Sequence, residues 1–240
     1  MRNFGVIGYP IGQTFSPAYF AKKFSELGIN DACYNAFEVN DLKNVKDFTS
    51  KNRLSGFNVT IPHKLEIIKY LDWIDPVAAE INAVNVVKVS DGKLLGFNTD
   101  YFGFQESLIP LIQGKVTAMV FGSGGSSAAV KFALNQLKID FEVVSRSISK
   151  GIPYDALNKK DIESNLLLIN TTPLGMHTSL GECVDIPYHG ITSRHLCYDL
   201  IYNPLETEFL RRCKSFGATI KNGLQMLELQ ADKSWDIWNS

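Results

Sequence analysis

Two rhythms of apolar and polar positions alternate along this chain. NFGVIG is a short apolar run that predicts a strand, and SPAYFAKKFSELG then shows helical spacing, with Ser16 as N-cap, Pro17 at the first helical position and Gly28 as terminator. CYNAFEV predicts a second strand, DLKNVKDFTSKN a polar amphipathic helix, and LSGFNVT a third strand. PHKLEIIKYLD follows as an expected helix with Leu65, Ile68 and Leu71 on one face. Strand and helix in alternation imply a parallel sheet. AVNVVKV and KLLGFN flank Ser90-Asp91-Gly92, a hairpin signal, so the sheet is expected to end in an antiparallel pair.

A second α/β pattern begins at KVTAMVFGSGGSSAAVKFALNQL, which reads as strand, glycine-rich turn and helix with Ala129, Phe132, Ala133 and Leu137 available to pack. FEVVS, NLLLIN, HLCYDLI and ATIK supply further strands. NGLQMLELQADKSWDIWNS predicts a last helix after Gly223, with Leu224, Leu227, Trp235 and Trp238 apolar. The expected fold is therefore α/β with two domains. Residues 1–99 are expected to form a mainly parallel α/β domain and 100–222 a Rossmann-like, doubly wound one. The C-terminal helix, 223–240, returns to pack on the first.

Composition narrows the partners. The 240 residues are 45% hydrophobic and 20% charged with a net charge of −1, so there is no basic stripe for nucleic acid. Small, locally recognised ligands are expected instead of polymers. Cys33, Cys183, Cys197 and Cys213 lie far apart without CxxC or Cys/His spacing, which predicts reduced thiols in a cytoplasmic protein. His63, His177, His189 and His195 lack partners at ligand spacing, so no metal is expected. No window approaches the roughly 20 apolar residues that span a bilayer, and nothing in the N-terminal stretch marks export.

Chemistry concentrates in two places. In VFGSGGSSA the strand ends at Phe121, and Gly122 and Gly124 let the backbone turn tightly against a pyrophosphate, with Ser127 in the position of the third glycine. Where NAD sites carry an acidic residue after the next strand, this chain has Ser145, Arg146 and Ser147, with Lys150 nearby. A guanidinium pairs with a 2′-phosphate, so NADP is favoured. In the first half, small polar residues gather after strands: Thr14 and Ser16, Asn58 and Thr60, Asn85, and Asp100. Each has a local explanation as a cap or a backbone partner, but together they suit a ligand with many hydroxyls. Lys64 stands out because GFNVTIPHK delivers it into an expected first helical turn, where a cation is disfavoured by roughly 0.3–1 kcal/mol.

GFNVTIPHK, AVN, GFNTD, FGSGGSSAAV, INTTPLGM, YDLIYNPLETEFL and NGLQMLELQA stand in the same order as in the shikimate dehydrogenase family, which the chain resembles over essentially its whole length. The resemblance implies an NADP-dependent, reversible reduction of 3-dehydroshikimate to shikimate on the route to chorismate and the aromatic amino acids. It implies Lys64 and Asp100 as the catalytic pair, and Thr14, Ser16, Thr60, Asn85, Tyr202 and Gln230 as shikimate contacts. Gly122, Ser123, Gly124, Gly125 and Ser126 become the pyrophosphate cradle, Ser145, Arg146, Ser147 and Lys150 the phosphate clamp, and Thr171 and Gly223 parts of the nicotinamide side.

The chain departs from the family in four ways. Its serine-x-serine is Thr14-Phe15-Ser16, its Asn-Arg-Thr is Ser145-Arg146-Ser147, an arginine after the glycine turn is Ala128, and few residues separate Arg146 from NLLLIN. The last of these predicts a nucleotide domain that lacks a helix or loop. The first two leave a quinate/shikimate dehydrogenase with NAD or dual cofactor use as the alternative. A regulatory nucleotide-binding module without turnover is a further one, against which the presence of both Lys64 and Asp100 speaks. A monomer or a homodimer is expected.

Overall fold

The computed structural model describes residues 1–12, 14–176 and 179–240; His177 lies outside the described residues. The chain divides into two compact units, Met1–Thr99 with Ala231–Ser240, and Asp100–Gln230. The sequence placed the return to the first unit at residue 223, whereas the unit resumes at Ala231, inside the last helix.

The first unit is built on a six-stranded sheet. Its strands are β1 (Arg2–Gly8), β2 (Ala32–Glu38), β3 (Leu54–Val59), β4 (Trp73–Ile74), β5 (Val86–Ser90) and β6 (Lys93–Phe97), in the order β2-β1-β3-β5-β6-β4. β2, β1 and β3 run parallel, and β5 and β6 pair antiparallel through Asp91 and Gly92, both at positive φ, as the hairpin signal requires. Alternate residues of the central strands face opposite cores. Phe4, Val6 and Val86 meet Phe20 and Phe24 of α1 (Phe15–Glu26) together with Trp238. Ile7, Val59 and Val87 meet Val45 of α2 (Val45–Lys51) and Ala78 of α3 (Pro76–Ile81) on the other side.

Several expectations change here. α1 begins at Phe15 with Thr14 at the N-cap position, so Ser16 lies inside the first turn and is buried; it is not a cap. The stretch read as a helix through PHKLEIIKYLD is a 3₁₀ turn of five residues, Glu66–Tyr70. Three residues per turn bury Ile67, and Leu65 is exposed. Lys64 therefore precedes a short turn, and the expected conflict with a helix N-terminus disappears. The 3₁₀ turn is followed by two elements that the pattern did not reveal: β4, paired parallel to β6, and α3, whose N-cap Asp75 accepts from the Val77 and Ala78 amides.

The second unit carries a five-stranded, all-parallel sheet of β7 (Ala118–Phe121), β8 (Phe141–Val144), β9 (Leu167–Asn170), β10 (Leu196–Asp199) and β11 (Thr219–Lys221), in the order β11-β10-β9-β7-β8. β7, β9 and β10 are buried along their whole length because both faces are covered. Ala118 and Val120 face Phe104 and Leu108 of α4 (Asp100–Leu108) and Val130 of α5 (Gly125–Gln136). Met119 and Phe121 face Ile162 of α6 (Lys159–Ser164) and Phe209 of α7 (Glu208–Ser215). Between β8 and β9 the chain makes a three-residue 3₁₀ turn, Tyr154–Ala156, and the six-residue α6, so this connection keeps a short helix. α8 (Leu224–Asn239) closes the chain, and no helix among the described residues is long and apolar enough to cross a membrane.

Trp238 is the keystone of the aromatic core in the first unit. Its ring stacks on Phe4 at 4.8 Å, its Nε1–H donates to the Val87 carbonyl at 3.0 Å, and it lies against Gly56, where any side chain would collide with the indole. Trp238→Ala is expected to cost about 3–5 kcal/mol, read as a lowered midpoint in urea denaturation followed by circular dichroism.

Candidate active site

Loops leave the carboxyl ends of β1 and β3 side by side, where the strand order of the first sheet reverses. The Thr60 N–H donates to the Ile7 carbonyl, and the Thr60 methyl lies 2.5 Å from where a Cβ on Gly8 would stand, so glycine at position 8 lets the two loops touch. Thr14 and Ser16 open the helix after β1, and Thr60 and Lys64 follow β3. The Lys64 carbonyl accepts from the Val84 amide at 2.8 Å, fixing the lysine backbone on the stretch that leads into Asn85. The neighbouring His63 is a packing residue: it is buried and its Nε2 lies 2.6 Å from the Val39 carbonyl oxygen.

A buried polar chain runs beneath these loops. The Tyr34 hydroxyl engages Ser16 and donates to Asn58 Oδ1 at 2.7 Å, and burial raises the Tyr34 phenol far above its ordinary pKa. Asn58 Nδ2 donates to the Asn85 carbonyl and to Ser234 Oγ, so Asn58 is occupied inside the unit; the expectation that it binds ligand hydroxyls gives way to a structural role. Asn85 grips Thr99 twice, accepting its amide at 2.7 Å and donating to its hydroxyl at 3.0 Å. Thr99 is thereby held directly before Asp100, the buried first residue of α4. Tyr34, Ser234 and Thr99 were missed in the sequence. Tyr34 looked like an ordinary strand aromatic, and only the fold brings Ser234 next to Asn58.

In the second unit, β7 and β9 form the corresponding reversal, and the glycine turn sits on it. Gly122 takes φ +110°, and a side chain there would strike the Thr171 hydroxyl at 2.6 Å. Gly124 faces open space, and Ser127 is buried with its hydroxyl on the Gly122 carbonyl at 2.8 Å. α5 follows with Gly124 at its N-cap position, leaving the first amides of a 12-residue helix, at Gly125 and Ser126, without intrahelical acceptors. Such a turn accommodates a pyrophosphate. Ser123 Oγ lies 3.0 Å from Ser145 Oγ, which in turn accepts from the Ser147 amide at 3.2 Å, so the turn is tied to the loop after β8. Arg146 and Lys150 on that loop are exposed, and Asp140 stands before β8, at its far end. The residues present fit an NADP nucleotide.

Thr171 leaves β9 with its hydroxyl on the Phe121 carbonyl at 2.6 Å. Gly223 approaches the Leu200 carbonyl so closely that no side chain fits, and half-buried Tyr202 lies on the loop between them. Gln230 is buried, with Nε2 on the Leu227 carbonyl, in the part of α8 that packs on Gly103 of α4. His195 is a core residue bonded to Thr192 and Ile162. Among the described residues no three of His, Cys, Asp or Glu gather as metal ligands, and the four cysteines are free thiols.

A parallel sheet with a glycine turn at its reversal defines a dinucleotide-binding protein of the doubly wound class. Comparison with known proteins narrows this, and the chain belongs to the shikimate dehydrogenase family. Residues 6–87 match the model of the shikimate dehydrogenase substrate binding domain. A curated relative from Methanococcus maripaludis, named shikimate dehydrogenase (NADP(+)), is 39% identical over 98% of this chain and 90% of its own. One from Bacillus cereus with the same name is 36% identical over 98% and 91%. The crystal structure of shikimate 5-dehydrogenase from Thermus thermophilus in complex with NADP(H) and shikimate superposes with a TM-score of 0.88 at 32% identity, covering 99% of this chain and 93% of that one.

One buried carboxylate in the second unit titrates unusually. Burial lifts Asp199 to about 6, against hydrogen bonds from Thr207, Ile201 and Asn170 that pull it down. The folded state thus holds this proton more tightly than the unfolded chain does. The stability it contributes is complete below the ordinary carboxyl value and is lost as pH rises through the folded value. Urea denaturation of the wild type and Asp199→Asn is expected to show the wild type losing ground between about pH 4 and pH 6 and holding level above. A difference that stays flat over that range contradicts the titration.

Proposed function

We propose that this protein is a shikimate dehydrogenase that reversibly reduces 3-dehydroshikimate to shikimate with NADPH. The observation that carries the reading is the glycine turn at the β7/β9 reversal, tied through Ser123 and Ser145 to a loop that offers Arg146 where an NAD site needs a carboxylate. When bound, NADPH supplies the hydride.

The chain supplies binding and the proton. Gly122 to Ser126 hold the pyrophosphate on the first amides of α5, and Ser145, Arg146, Ser147 and Lys150 hold the 2′-phosphate. Thr171 and Gly223 line the nicotinamide side. Thr14, Ser16, Thr60, Asn85, Tyr202 and Gln230 bind the hydroxyls and carboxylate of the substrate. Lys64 delivers a proton to the carbonyl oxygen as the ketone becomes an alcohol, and removes it in reverse; Asp100 orients the reacting group and binds a substrate hydroxyl. The substrate domain comprises residues 1–99 with 231–240, and the nucleotide domain residues 100–230. The working protein is a monomer or a homodimer in the cytoplasm.

The first experiment is NADP reduction with shikimate, with quinate and NAD as the other arms of the assay. Shikimate with NADP is expected to be the preferred pair, and no turnover in any arm would sink the reading. Lys64→Ala should lower turnover by about 10²–10⁴-fold, and near-normal turnover would remove Lys64 from the chemistry. Asp100→Asn should lose less if Asp100 only orients. Arg146→Ala should raise the Michaelis constant for NADP by about 10–100-fold, the equivalent of a lost charge-assisted contact, and leave that for NAD in place. An unchanged NADP value would refute the clamp.

A further inference from the structure

Asp199 ends β10, a strand buried from end to end, and is itself fully buried. Its hydrogen-bond donors are neutral. Oδ1 accepts from Asn170 Nδ2 at 3.1 Å and from the Ile201 amide at 3.0 Å, and Oδ2 accepts from the Thr207 hydroxyl at 2.6 Å. A carboxylate taken out of water against neutral donors costs folding free energy, and apolar residues of similar shape often serve stability better. Stability alone is a poor reason for this one.

Where the three donors lie suggests the reason. Asn170 ends β9, Ile201 opens the loop after β10, and Thr207 is the N-cap of α7, with its hydroxyl also accepting from the Leu210 amide. Asn170 passes the constraint on: its Oδ1 accepts both the amide and the hydroxyl of Thr172, at 3.0 and 2.7 Å, closing a tight turn around Thr171. Thr171 is thereby pressed against the end of β7, with its hydroxyl on the Phe121 carbonyl beside Gly122. On the other side the Ile201 carbonyl accepts from the Gly223 amide at 3.0 Å, and Tyr202 is the next residue along. One carboxylate thus governs the segments that bear Thr171, Tyr202 and Gly223.

We propose that Asp199 is a positioning residue of the reaction, acting through Asn170 and Ile201 to set these segments at the nicotinamide end of the cofactor. The inference rests on the NADP-dependent reading above. Its predicted signature is a split: a fault at Asn170 or Asp199 damages use of the whole cofactor and spares binding of its adenosine half, which the glycine turn and the Arg146 loop hold.

The test uses the full chain and three variants, N170D, D199N and the double variant, assayed for NADPH oxidation with 3-dehydroshikimate and for inhibition by adenosine 2′,5′-bisphosphate. N170D sets one carboxylate against another and should lower kcat/KM for NADPH by about tenfold or more, since small misplacements near reacting atoms are costly. Its inhibition constant for the bisphosphate should stay within about twofold of wild type. Adding D199N to N170D removes the facing charge and should recover at least about a third of the loss on a logarithmic scale. If N170D fails to fold by circular dichroism, Asn170→Ala carries the same expected split. An active wild type with variants whose kcat/KM is unchanged, or whose bisphosphate inhibition weakens in parallel, overturns the positioning role. A wild type that neither oxidises NADPH nor binds the bisphosphate overturns the functional reading instead.

Discussion

Both sheets of this protein reverse their strand order at a pair of adjacent parallel strands, β1 and β3 in the first and β7 and β9 in the second. At a reversal the loops from two adjacent parallel strands depart to opposite faces, and a crevice opens at the carboxyl ends that no side chain has to create. The rest of the molecule serves these two places. In the first unit, Gly8 removes a side chain so that Thr60 can reach across, and in the second Gly122 does the same for Thr171. Each unit thus sets a glycine on its first strand, or just beyond it, against a threonine after the neighbouring strand.

Buried polarity then fixes what those loops carry. Amides and hydroxyls inside a core cost free energy unless each finds a partner, and both units meet that demand with short chains of hydrogen bonds. In the first, Tyr34, Asn58, Ser234, Thr99 and Asn85 satisfy one another, ending on the residue before Asp100. In the second, Thr207, Asp199, Asn170 and Thr172 do so, ending on either side of Thr171. Both chains begin in well-packed core and stop beside a residue proposed for chemistry, so the rigidity of the core reaches the loops through hydrogen bonds.

What could be read from the sequence follows from how local its cause is. The glycine turn after Phe121, the Asp91-Gly92 hairpin and the strands AMVF, LLIN and LCYD declare themselves because glycine, a turn pair and a continuous apolar run each act within a few residues. PHKLEIIKYLD misled because Leu65, Ile68 and Leu71 fit a helical face, whereas the 3₁₀ turn buries Ile67 instead. α3 and β4 are too short to show a period, although Asp75-Pro76 carried the start signal of a helix. Asn58 and Asp199 lay beyond reach for another reason. Polar residues in apolar strands signal only that a partner exists, and their partners, Ser234 and Asn170, are 176 and 29 residues away.

The loop after β8 shows how the same logic bears on cofactor choice. A carboxylate there would accept from two ribose hydroxyls and repel a phosphate; Ser145, Arg146 and Ser147 reverse both preferences. Serine in place of the family's asparagine and threonine costs little, because Ser145 is buried and spends its hydroxyl on Ser123 and on the Ser147 amide, which shapes the loop. Arg146 is left exposed and carries the charge. Shape and charge are thus divided between neighbouring residues, so a departure at Ser145 or Ser147 alters the frame of the loop and leaves intact the guanidinium proposed to meet the 2′-phosphate.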